Sequence, residues 1–174
     1  MKKIALIAIT FTLSACGSMS TKECKTANWQ DVGHTDAIKG RPIRLESHRK
    51  ACAEVKVTPN RALYITGYKR GAREFCTYQS GLQFGKKGRS ANNICTSPAL
   101  SKGFFKGYNK GKQTYNINKQ IRSKQSERRK VESKIRKALK KGAKTSAYSL
   151  NLLYREKELI NREINALKRE LNRI

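Results

Sequence analysis

Residues 146–174, SAYSLNLLYREKELINREINALKRELNRI, decide the fold class. Leu150, Leu153, Lys157, Ile160, Ile164, Leu167, Leu171 and Ile174 recur at alternating steps of three and four without a slip. That period is the seam of an α-helix burying one stripe against a partner helix, here just over three heptads long. Ser146 stands ahead of it as an N-cap. Glu158–Arg162, and Glu132–Arg136 upstream, are i, i+4 pairs in the favourable order, each contributing about 0.2–0.5 kcal/mol.

Immediately upstream the pattern repeats with interruptions. Ser97-Pro98 supplies a cap and a first-turn proline, and no proline follows. Ile121, Lys124, Arg128, Val131, Ile135 and Ala138 again alternate at three and four, so two cations sit in the seam. Lys140-Lys141-Gly142 has the cations and trailing glycine of a helix end. A short turn between two seamed helices predicts an antiparallel hairpin over residues 98–174. A parallel homodimer through the last helix is the alternative, and Lys157 in the seam leaves both open.

Residues 16–97 read differently. Cys24, Cys52, Cys76 and Cys95 allow three pairings, and the sequence alone does not choose among them. Cys24–Cys52 with Cys76–Cys95 is favoured because short loops cost least entropy to close. Each such bond is worth roughly 3 kcal/mol in the chain-entropy account. No C-x-x-C or Cys/His cluster has ligand spacing, so neither a metal site nor a redox pair is expected. A loose repeat of small residues runs through Gly33 to Ala37, Gly67 to Gly71 and Gly107 to Gly111. Leu63, Tyr64, Gly67, Gly71, Phe75 and Tyr78 lie on one helical face behind an Asn60 cap, so these glycines mark close helix packing. Shorter helices are predicted at 29–38 and 45–55. Residues 81–89 read as a glycine-rich loop with a short strand at 82–84. Its Gly81-to-Lys87 run falls one residue short of a phosphate loop and lacks the following Ser/Thr.

The whole is a mainly α protein: a small disulfide-stapled helical head at 16–97, then a long C-terminal helical hairpin or coiled coil. The 174 residues hold 39 Lys and Arg against 12 Asp and Glu, a formal charge of +27, and 37% hydrophobic residues. Past the first fifteen residues no apolar run approaches the ~20 that a spanning helix needs, which excludes a polytopic membrane protein. Those first fifteen have the form of a secretion signal: Lys2 and Lys3, an apolar stretch from Ile4 to Leu13, then Leu13-Ser14-Ala15-Cys16. The last four resemble a bacterial lipobox, which implies cleavage before Cys16 and acylation of its thiol and new amino group. Gly17, where an Asp would retain the protein at the inner membrane, favours the outer membrane, anchored by lipid and facing the periplasm.

Further motifs carry a family resemblance. The lipobox, Cys24, Trp29-x-x-Val32-Gly33-x-x-Asp36-Ala37-x-x-Gly40, and Tyr64-x-x-Gly67-x-x-x-Gly71-x-x-x-Phe75-Cys76 occur in that order. Gly85, Gly88, Cys95 and Phe105-x-Gly107-Tyr108-x-x-Gly111 follow. Over residues 16–112 this resembles an uncharacterised family of Gram-negative lipoproteins, domain of unknown function 2799, with Ala37 where a second glycine is expected. The resemblance implies an exported, cysteine-stapled domain and no particular reaction or ligand.

Function is bounded by charge and by the lack of a chemical centre. His34 with Asp36 and His48 with Glu46 are the His/carboxylate neighbours, and residues two apart do not face each other on a helix. No enzyme activity and no cofactor are expected. Export argues against nucleic acid as the partner of the basic surface. The expected partner is an anionic envelope polymer or an acidic protein, met by Arg128, Arg129, Lys130, Lys140 and Lys141 on the helical arm. A cell-wall-modifying enzyme or a nucleic-acid-binding protein is the alternative.

Overall fold

The computed structural model describes residues 19–91, 95–140, 142 and 146–174. Its elements are α1 (Thr21–Thr26), α2 (Trp29–Ile38), α3 (Leu45–Ala51), a 3-10 turn (Ala53–Val55), α4 (Arg61–Phe75), α5 (Tyr78–Lys86), α6 (Pro98–Lys140) and α7 (Ala147–Arg173). Among the described residues every regular element is helical, including the stretch 82–84 where a short strand was expected. Caps stand where the sequence placed them. Asn60 Oδ1 accepts from the Leu63 amide at 3.1 Å, and Ser146 Oγ from Ser149 at 3.1 Å. Contacts divide the chain into two compact units, one ending at Gly71 and the other beginning at Ala72. That boundary lies inside α4, and in the second unit the first turns of α6 pack on α5 before the helix becomes the hairpin arm.

In the first unit α2 crosses α4 at backbone contact. A methyl group on Gly33 would overlap the carbonyl oxygen of Tyr64, one on Gly67 that of Gln30, and one on Gly71 would press on that of His34. In the second unit α5 crosses α6 in the same way. Gly81 faces the Phe104 carbonyl, Gly107 that of Tyr78, and Gly111 that of Leu82. The correspondence is residue for residue: α5 repeats α2 with an offset of 48, and α6 repeats α4 with an offset of 40. Both first helices end alike. Gly40 (φ 63°) and Gly88 (φ 69°) take the left-handed conformation open to glycine. The Arg41 amide then reaches back to Asp36 O at 3.0 Å and the Arg89 amide to Phe84 O at 3.3 Å, a Schellman closure in each case. One tyrosine then hooks each terminus, with Tyr68 Oη donating to Arg41 O at 2.8 Å and Tyr108 Oη to Arg89 O at 3.0 Å.

The small-residue repeat is therefore a tandem pair of helix crossings with four glycine-bearing helices, not three loosely spaced copies. The fourth helix is α5, where the sequence suggested a loop with a strand at 82–84. Gly81 and Gly85 are four apart and face α6, so tertiary contact offsets the ~1 kcal/mol that each glycine costs in a helix. Each unit has one disulfide, Cys24–Cys52 in the first and Cys76–Cys95 in the second, the pairing favoured from loop length.

Beyond the second crossing, α6 and α7 form an antiparallel hairpin. Ile117, Ile121, Val131 and Ile135 of α6 are buried with Ile160 and Ile164 of α7. Lys124 pairs with Glu163 at 2.8 Å, Arg128 Nη1 donates to Asn161 at 3.4 Å, and Lys157 pairs with Glu132 at 3.8 Å. Partner numbers fall as the α6 numbers rise, which defines the antiparallel sense. The seam offered for a parallel homodimer is filled within the chain. Glu132 meanwhile turns back to Arg128, at 3.7 Å, rather than forward to Arg136.

Gly103 and Gly107 provide a matched test of the crossing. Around Gly103 the nearest atom to an added methyl would be the Tyr78 amide at 4.0 Å, whereas Gly107 is closed by backbone. Gly103→Ala is expected to stabilise the protein by about 0.5–1 kcal/mol through helix propensity. Gly107→Ala is expected to destabilise it by about 1–3 kcal/mol or more through overpacking. Urea midpoints of the two variants against the wild type measure both.

Candidate functional site

The first unit encloses a polar cluster that local sequence does not reveal. Asp36 stands in the last turn of α2, His48 on α3 and Tyr64 on α4, and all three are buried, Asp36 to 2% exposure. The Cys24–Cys52 bond fixes the C-cap of α3, one turn after His48. His48 Nε2 lies 2.7 Å from Asp36 Oδ2, and Tyr64 Oη donates to the same oxygen at 3.0 Å. Arg41 Nη1 donates to Oδ1 at 3.2 Å. The Tyr64 oxygen in turn accepts the Arg44 amide at 3.0 Å. A carboxylate only accepts, so Nε2 of His48 carries the proton in this contact. The His48 ring lies between Trp29 and Tyr64, with centroids at 6.3 and 5.8 Å.

Electrostatics follow from these contacts. Burial alone would raise the Asp36 carboxyl, but hydrogen bonds from His48, Tyr64 and Arg41 outweigh it and hold the group below the ordinary carboxylate range. Burial, together with the neighbouring Asp36 charge, pushes the Tyr64 phenol far above its ordinary value and raises Tyr68 as well. Tyr64 is therefore a fixed donor at neutral pH and not an acid or base in waiting. Asp36, Arg41 and His48 line one side of an open cavity of about 430 Å³, with Met19, Ala27 and Val32 among its other walls.

The second unit supplies an internal comparison. At the positions equivalent to Asp36, Tyr64 and Arg41 stand Phe84, Phe104 and Arg89. Phe75, Phe84 and Phe104 form an aromatic triangle with centroids 5.5–6.2 Å apart, and the Arg89 guanidinium lies 4.0 Å over the Phe84 ring. An ion pair in one unit is thus a cation–π contact in the other. His48 has no counterpart there, because α3 belongs to the longer linker of the first unit. The crossing closes over rings as well as over charges, so the fold itself does not demand the polar cluster.

The residues singled out from sequence are dispersed. Gly33, Gly67, Gly71, Gly107 and Gly111 are crossing residues, and the four cysteines that could have served a metal are consumed in disulfides. Arg129, Lys130 and Lys140 are exposed on α6. Arg128 is instead half-buried in the hairpin seam, where its Nε lacks a hydrogen-bond partner among the described residues. Cys16 and Lys141 lie outside the described residues. His48 contacts Asp36, twelve residues away in sequence, while its sequence neighbour Glu46 is held by Arg49. One signal for it was present: Leu45, His48, Cys52 and Val55 share a helical stripe, which turns the imidazole inward.

Fold and site define a class, a pair of cysteine-stapled small-residue helix crossings extended by a basic helical hairpin. Residues 28–113 match the family described as Protein of unknown function (DUF2799), and this segment of the chain belongs to that family. The matched segment runs from the Asn28 cap of α2 to just past Gly111, so it contains both crossings and stops before the hairpin seam. The chain is also similar to the Uncharacterized protein YfiL of Escherichia coli (strain K12), at 28% identity over 125 residues, covering 68% of this chain and 99% of that protein. No solved structure matches.

Because the folded state depresses the Asp36 carboxyl, the unfolded chain binds the extra proton in acid. The stabilisation is complete above the ordinary carboxylate range and is lost as pH falls through the lower folded value. Tyr64→Phe removes a donor from a buried carboxylate and is expected to cost about 1.5–3 kcal/mol at neutral pH. That deficit should shrink once pH drops below the folded Asp36 value. Urea unfolding of both proteins from pH 7 to pH 2.5 checks the magnitude and the direction.

Proposed function

We propose that this protein is a non-enzymatic, lipid-anchored module of the Gram-negative outer membrane, facing the periplasm, whose basic hairpin holds an anionic envelope component or an acidic protein. The observation that carries this reading is the charge of α6. Between residues 98 and 140 there are fourteen Lys and Arg against two acids, Glu127 and Glu132. Both acids are engaged by seam cations, Glu127 by Lys124 and Glu132 by Arg128 and Lys157. Arg129, Lys130, Lys134, Lys137 and Lys140 point outward. Such a surface attracts polyanions at a range set by the Debye length, about 10 Å at 0.1 M salt.

The anchor rests on Leu13-Ser14-Ala15-Cys16 and the apolar, positively flanked segment before it. The non-enzymatic reading is supported by the polar cluster, in which Asp36 is bound on both oxygens and Tyr64 stays protonated. Radiolabelled palmitate is expected to enter the wild-type chain in cells and to be absent from Cys16→Ala. Purified protein should be retained by cell-wall preparations and anionic vesicles at low salt and released at moderate salt. Reversing Arg129, Lys130 and Lys140 to Glu should cut that retention by roughly tenfold or more, at about 1 kcal/mol per charge near an anionic surface. Retention unchanged by the triple variant, or turnover of cell wall, would contradict the proposal.

A further inference from the structure

The seam of α7 leaves its opposite side to solvent, and that side has a second three-four progression. Tyr148, Leu152, Arg155, Leu159 and Arg162 follow one another along it, and Arg169 continues the row. Tyr148 is 73% exposed, Leu152 47% and Leu159 58%. Among the described residues of the hairpin nothing covers them. Asn151, Tyr154, Arg155, Glu158, Leu159 and Arg162 frame a shallow groove of about 550 Å³ on this face. Among the described residues no acid lies within ion-pair distance of Arg155, Arg162 or Arg169, although Glu158 lines the groove and Glu156 and Glu170 flank the row.

Apolar side chains that alternate with arginines along one helix face suit a particular surface. A second copy of the chain would bring arginines spaced at seven, 155, 162 and 169, into a self-paired stripe, where like charges oppose association. A layer of phosphate-bearing headgroups over acyl chains accommodates both kinds of side chain. Guanidinium forks bind phosphate oxygens, and leucine and tyrosine enter the boundary below them.

We propose that the outer face of α7 is a lipid-contacting surface that lies along an anionic bilayer leaflet. In this arrangement Arg155, Arg162 and Arg169 take the headgroup phosphates, and Tyr148, Leu152 and Leu159 are inserted. This rests on the reading of the hairpin as an anion binder and names its partner.

The test uses the full mature chain with Cys16→Ser, so that no lipid anchor contributes. Its probes are phosphatidylcholine vesicles, vesicles with 30% phosphatidylglycerol, and soluble polyphosphate. The wild-type face should sediment with the anionic vesicles and not with the neutral ones. Leu152→Ser/Leu159→Ser, at exposed positions that leave the seam intact, should weaken vesicle binding by about tenfold or more and leave polyphosphate binding unchanged. Arg155→Gln/Arg162→Gln should weaken vesicle binding by roughly fivefold for each arginine removed. Circular dichroism should show the same helicity for all variants. Polyphosphate binding without vesicle binding, or vesicle binding indifferent to Leu152 and Leu159, overturns this inference and leaves the anion-binding function standing. Capture of acidic poly-glutamate peptide in preference to anionic vesicles also overturns it, in favour of a protein partner. Absence of binding to every polyanion removes both.

Discussion

Backbone contact between helices is the constraint on which both units depend. At each crossing a main-chain carbonyl of one helix occupies the place where the facing residue would have a side chain. Helices held this close gain dispersion contacts along their whole crossing, but only while every residue at the contact stays small. The tolerance is narrow: Ala37 fits among the glycines of the first crossing, with its Cβ against Gly71. The remaining devices hold the helices in this one register. A Schellman closure ends each first helix, a tyrosine hydroxyl hooks the carbonyl beyond it, and a disulfide ties the entry to the following linker. For a chain with only 37% hydrophobic residues, that geometric locking supplements a sparse core.

The two crossings differ in what fills the space beside them. The second places three phenylalanines there, and their burial is favourable without further conditions. The first places a carboxylate there, which costs free energy to desolvate and is tolerable only with its donors in place. His48, Tyr64 and Arg41 meet that condition, and the α3 insertion exists in the unit that needs the histidine. Loss of one donor is therefore felt by the charge that remains, whereas loss of one ring leaves a cavity. The polar version also borders an open cavity. The asymmetry makes the first unit the more specialised of the two.

Sequence revealed what is periodic or covalent. The 150–174 seam, the Ser97-Pro98 start, the Asn60 and Ser146 caps and the disulfide pairing each rest on a local rule, and the structure has all of them. Helix α5 was hidden because glycines four residues apart look like a flexible loop until the helix facing them is known. For the same reason the tandem relation was misread: its two halves have different offsets, 48 and 40, so no single period connects them. The Asp36–His48–Tyr64 cluster joins three helices across 28 residues, and no short motif can announce such a contact. Arg128 looked like a surface cation within a basic run, yet its heptad position already placed it in the seam.

The hairpin shows how folding redistributes charge that composition only totals. Three cations fall at seam positions, Lys124, Arg128 and Lys157, where burial would otherwise penalise them. Folding answers with Glu127 and Glu132 one turn away on α6 itself, and with the cross-helix pairs Lys124–Glu163 and Lys157–Glu132 that the antiparallel register brings together. Half of the acids downstream of residue 100 are thereby drawn to the seam. Glu156, Glu158 and Glu170 are left to balance every cation outside it. Glu127 and Glu163 stay substantially exposed while paired, so the seam cations neutralise these acids in place and leave the outward cations without them. A parallel register would break the two cross-helix pairs and leave the contacts within α6 in place. The antiparallel topology of the hairpin and the pairing of half its acids thus depend on the same three seam positions.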